Sequence, residues 1–142
     1  MYSALLHSHS GLRYLVLIGV LMAIFTSIKK KPESFNGKNV WALIGMALMH
    51  LQFLVGFVLY FSTPKVMFSS VMFESSLMRF FTLEHPVMML LSLALITVGY
   101  SRAKKRTGNA SRKQVLYFYL VGLLIMLAAI PWPFSRVPGA WM

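Results

Sequence analysis

The chain is 142 residues long, 58% hydrophobic and 12% charged, with a mean hydropathy of +0.69, which excludes a soluble domain with an ordinary surface. Its formal charge of +11 comes from 14 Lys and Arg against three acidic residues, a balance that suggests nucleic acid in a soluble protein. Here ten of the 14 fall in two short connections between apolar stretches, which marks cytoplasmic loops of a membrane protein and excludes that partner. No cysteine is present, so disulfides, thiolate metal sites and covalent haem attachment through CxxCH are excluded as well.

The first apolar run, 14–28, is too short to cross a bilayer alone at about 1.5 Å per helical residue, so the predicted span extends back over 4–28. The stretch before it lacks both the basic start and the A-x-A-like site of a signal peptide, and a retained first span is expected. The extension carries His9 and Arg13 into the outer half of the membrane. Four residues apart, they share one helix face, and His7 points the other way. Arg13 is expected to turn to the bundle interior or an aqueous mouth, the alternative being that it snorkels to the headgroups.

The loop 29–39, KKKPESFNGKN, holds Lys29, Lys30, Lys31 and Lys38 and reads as a cytoplasmic turn. The second span, 40–61, contains no formally charged side chain and has His50 at its centre. An imidazole at that depth needs a partner, a cavity or a ligand; the plain alternative is a neutral ring bonded to a neighbouring helix. Gln52 lies about 200° round the helix from His50. With Gly56 and Tyr60 it forms a face expected to pack against a neighbour.

The outer connection, 62–77, contains VMFSSVMF and is expected to lie along the interface or cap the bundle mouth. The third span is clearest over 86–100 and is predicted over 77–101, which puts Arg79, Glu84 and His85 in its first turns. Pro86 either sits near that helix start or kinks it. A second basic loop follows, with Arg102, Lys104, Lys105, Arg106, Arg112 and Lys113, and then a fourth span, 114–134. Trp132, Phe134 and Trp141 are the expected interfacial aromatics. The fold predicted is all-α: a single integral membrane domain over 1–142, a four-helix up-down bundle with both termini outside, on the periplasmic face.

Counted at about 1.5 Å per residue from the outer ends, His9 lies roughly 10 Å deep, His85 roughly 12 Å and His50 roughly 16 Å. Three imidazoles can hold zinc or copper, but no spacing here suggests a catalytic zinc with its activated water. A non-covalent haem b fits better, because its iron takes two axial ligands and imidazole serves on both sides. In an up-down bundle the first helix faces the third across the diagonal, so His9 and His85 are the candidate axial pair. His50 is then a donor behind that pair or an alternative ligand. Arg13 and Arg79 stand at the same level and suit the haem propionates, or else pair with Glu84 or Glu74. The 11 methionines, Met46, Met49, Met88 and Met89 among them, read as filler of irregular apolar packing.

The runs HSGLRYLVL at 9–17, HLQFLVGFVLYF at 50–61, RFFTLEHPVMM at 79–89 and IPWPF at 130–134 resemble a family of small four-span bacterial proteins, found mainly in Bacteroidetes and labelled "cytochrome B". The likeness covers almost the whole chain, and His9, Arg13, His50, Arg79, Glu84 and His85 fall on the family's polar positions, with His7 outside them. The resemblance implies the bacterial inner membrane and a b-type haem. The expected function is single-electron transfer to or from a quinone or a partner respiratory subunit, as a carrier more than a complete enzyme. The competing expectation is a haem-free accessory or scaffold subunit of a larger respiratory or transport complex; a small transporter is weaker, for want of a broken-helix pair or a paired acid.

Overall fold

A computed structural model describes residues 1–31, 33, 35, 39–132 and 134. Among these the chain is helical without strands. Four helices are long and apolar enough to cross a membrane: α1 (Tyr2–Lys29), α2 (Val40–Ser62), α3 (Ser76–Ala103) and α4 (Gly108–Ala129). Each is as long as a hydrocarbon core of about 30 Å requires. Their outward sides are apolar, with Leu15, Ile18, Leu54, Phe57, Leu90 and Leu124 all more than half exposed. A bilayer in the place of water makes that arrangement stable.

The helices run up and down, each packed on its sequence neighbours, with α1 also against α4. The ring order leaves α1 diagonal to α3 and α2 diagonal to α4. At one end Tyr2 Oη and Thr63 Oγ1 share a hydrogen bond of 3.1 Å; at the other Gly108 N donates to the Phe35 carbonyl at 2.7 Å and Asn39 Nδ2 to Thr26 Oγ1 at 3.2 Å. Gly108, at φ 60°, uses the left-handed backbone that glycine adopts without a Cβ clash, and so turns the chain into α4.

Small residues bring the helices together. A Cβ added to Gly45 would lie 3.1 Å from the backbone carbon of Gly19, so α1 and α2 touch main chain to main chain. On the other side of the bundle, a Cβ at Gly99 would run into Phe118 Cβ, and Ser92 Oγ donates to the Gly122 carbonyl at 2.7 Å. Close approach of this kind is what drives helix association where lipid offers no hydrophobic gain. Across the diagonal, the fully buried Tyr119 donates to the Ala42 carbonyl at 2.6 Å. Tyr119→Phe is expected to lower stability by about 1 kcal/mol, read as an earlier unfolding midpoint in detergent, with the exposed Tyr117→Phe unchanged.

Two ends differ from the sequence-based boundaries. α4 begins at Gly108, because GNASRK continues the helix beyond the apolar part and Ser111 Oγ fastens it to the Ala103 carbonyl at 2.8 Å. It stops at Ala129, since Ile130 precedes a proline and is extended at ψ 127°. Trp132 donates its indole N–H back to the Leu127 carbonyl at 2.9 Å, and Phe134 is exposed. Trp141 lies outside the described residues.

Within α3 a π turn, Phe80–Glu84, interrupts the α geometry immediately before His85. Pro86 supplies the reason. It has no N–H for the Thr82 carbonyl four residues back, and its ring crowds that carbonyl in a regular helix. Widening the turn relieves the crowding, and His85 N bonds to the Phe80 carbonyl instead. The released Thr82 carbonyl accepts from Tyr60 Oη of α2 at 2.9 Å, and Thr82 Oγ1 accepts from Met67 N at 3.0 Å. The outer connection, with its short 3-10 turn Ser70–Phe73, is thereby drawn onto the start of α3.

Candidate functional site

His9 of α1 and His85 of α3 meet across the bundle diagonal, with ring centroids 6.3 Å apart and planes at 75°. His85 is oriented from behind: its Nδ1 donates to the Ala129 carbonyl at 2.8 Å. A helix-end carbonyl is open to such a donor, and here the residue four positions on is Pro133, which has no N–H to give. Because a carbonyl only accepts, Nδ1 of His85 carries the hydrogen and Nε2 keeps a lone pair. Phe80 and Phe81 lie beside the ring, with centroids at 5.7 and 6.2 Å.

α2 positions His9. Gln52 Nε2 donates to the His9 carbonyl at 2.9 Å, and a Cβ on Gly56 would fall 2.8 Å from His9 Cε1. Glycine at 56 is what lets the imidazole lie against the helix. Gln52 Oε1 and His9 Nδ1 are both buried without a hydrogen-bond partner among the described residues. The Gln52, Gly56 and Tyr60 face does pack on neighbouring elements, as its separation from His50 suggested, and it is also the wall of the site.

The remaining candidates stand apart from the pair. His50 lies on the exposed side of α2, its Nδ1 donating to the Met46 carbonyl at 2.9 Å. Arg13 is half-buried one turn from His9, with its guanidinium 5.0 Å from the Tyr14 ring and Nη2 3.4 Å from Tyr14 Oη. Arg79 Nε bonds Glu84 Oε1 at 2.7 Å, the ion-pair alternative, on an exposed surface. His7 is exposed.

Gln52, Gly56 and the Ala129 carbonyl therefore belong to the surroundings of the pair, although sequence reasoning had given the first two to packing alone. The available signal was the four-residue spacing of Gln52, Gly56 and Tyr60, a polar stripe through an apolar span.

Among the described residues no group of three His, Cys, Asp or Glu converges. A bare zinc or copper site, which needs three or four protein donors, is poorly served by two imidazoles. A metal whose remaining positions are filled by its own macrocycle needs only such a pair. His9 and His85, brought together from helices that face each other across the diagonal, are such a pair. The donor set fits a haem. No protein-family model, curated protein or solved structure matches the chain.

Proposed function

We infer that the chain is a b-type haem protein of the bacterial inner membrane that passes single electrons to or from a quinone or a partner respiratory subunit. The observation that carries this reading is the meeting of His9 and His85 across the diagonal, one of them already directed by a backbone carbonyl. Metal-bound histidines in general have their second nitrogen held in this way.

His9 and His85 would hold the haem, which when bound would supply the one-electron chemistry. The chain's own residues set the conditions. Ala129 fixes the tautomer of His85, Phe80 and Phe81 keep water from it, and Gln52 and Gly56 seat His9. Arg13, one turn along from His9, supplies a cation at the level suited to a propionate; Arg79 is engaged by Glu84. By the positive-inside rule, the end rich in Lys and Arg lies in the cytoplasm, which puts the histidines and both termini toward the periplasm.

The test is a reduced-minus-oxidised visible spectrum of the detergent-purified protein with pyridine haemochrome quantitation. Near-stoichiometric haem b with sharp low-spin bands is expected; a protein that stays colourless when expressed with ample haem overturns the reading.

One observation favours a second reading, an accessory subunit of a larger membrane complex. His50 is polar, mid-span and outward, and intramembrane histidines normally face protein. A partner helix laid over α2 would cover it. Co-purification with a large complex in which no haem belongs to this chain is the result that would favour that reading over the first.

A further inference from the structure

A cleft of about 490 Å³ opens between the start of α2 and the end of α3, lined by Asn39, Val40, Leu43, Tyr100, Lys104 and Lys105. It lies at the end of the bundle opposite the histidines and rests on none of the haem reading.

Its two sides differ in chemistry. Val40 and Leu43 are apolar and outward-facing, 63% and 44% exposed, and Ala47 continues their face toward the middle of the span. The rim is cationic. Lys104 and Lys105 are exposed, Lys104 Nζ sits 5.8 Å from the Tyr100 ring, and neither lysine has a carboxylate partner among the described residues. The N-terminus of α2 adds the positive end of its dipole at the same place. Asn39 is already committed, accepting from Trp41 N at 3.1 Å and donating to Thr26, so a ligand meets the lysines, Tyr100 and the helix end.

We propose that this cleft binds the headgroup of an anionic membrane phospholipid, with the phosphate at Lys104 and Lys105 and the acyl chains along Val40 and Leu43. A soluble phosphate would use the cationic rim and leave the apolar wall without purpose. A zwitterionic choline headgroup would bring its own cation against two lysines. Basic clefts between membrane helices at the headgroup level suit anionic lipids for these reasons.

The experiment is native mass spectrometry of the full chain released from detergent micelles doped with phosphatidylglycerol or phosphatidylcholine, and separately with inorganic phosphate. Phosphatidylglycerol is expected to be retained in preference to phosphatidylcholine. Each lysine near a membrane surface is worth about fivefold in affinity, so Lys104→Gln with Lys105→Gln should lower that preference about tenfold or more. Arg106→Gln with Lys113→Gln, exposed at the same end but outside the cleft, should leave most of it. All four side chains are at the surface, so the folded bundle is retained in both variants. Equal retention of the two lipids overturns the proposal, as does an unchanged preference in the Lys104/Lys105 variant. An equal loss in the Arg106/Lys113 variant would mean diffuse attraction and no site. Displacement of the lipid by millimolar inorganic phosphate would assign the cleft to a soluble anion and overturn the lipid source.

Discussion

His85→Ala protein is expected to come out of the membrane without its low-spin haem spectrum, a loss of the whole signal rather than a shift in it. On the proposed reading the variant would keep only one of the two imidazoles that hold the haem, and it also strips the Ala129 carbonyl of its donor. His9→Ala should behave the same way, and His50→Ala should keep its spectrum, since that ring is turned away on α2. The measurement is haem per chain by pyridine haemochrome in the three variants, with size-exclusion profiles to show that each is folded. Exogenous imidazole should restore part of the low-spin absorbance in the two alanine variants that lost it. Full retention of the spectrum in either the His9 or the His85 variant would sink the ligand assignment.

The largest structural effect is expected at the α1–α2 contact. Gly45→Leu puts a branched side chain where a lone Cβ would already meet the Gly19 backbone at 3.1 Å and the Val20 nitrogen at 3.2 Å. Backbone cannot rotate aside as a side chain can, so the helices must part along their length. Overpacking of this kind costs about 1–3 kcal/mol, and a backbone contact belongs at the upper end. The unfolding midpoint in detergent should fall accordingly, while Ala47→Leu on the outward face of the same helix should leave it in place. Equal midpoints for the two variants would mean that the crossing is more pliant than the geometry indicates.

Much of the architecture was legible because hydropathy and span length are one-dimensional properties. The four apolar stretches, the two basic connections and the up-down order follow from them, and so does the diagonal meeting of His9 with His85. Azimuth is a different matter. Depth counting placed His50 nearest the bilayer centre but carried no information on which side of α2 faces the core. The wheel separated His50 from Gln52 without saying which of the two looked inward; packing of α1 onto Gly45, Gln52 and Gly56 decides it.

The π turn was hidden for a related reason. Pro86 announced a disturbance, but whether the helix starts, kinks or widens depends on what receives the carbonyl it releases, and that is Tyr60 on another helix. The turn also explains Arg79 and Glu84, which stand five apart, a spacing that a regular α-helix does not bring face to face.

The two glycine-mediated contacts divide the bundle into hairpins, α1 with α2 and α3 with α4, and this division bears on the order of assembly. His85 and the carbonyl that aims it both lie in the second hairpin, so that ring is pointed as soon as α3 and α4 close on each other. His9 lies in the first, seated by Gln52 and Gly56 of its own neighbour. Each half thus arrives with one imidazole already set, and a two-sided site exists only after the halves dock. If the proposed haem is held there, colour in a growing culture would report that last joining step, and a chain whose four helices had all entered the membrane but stayed as separate hairpins would be pale.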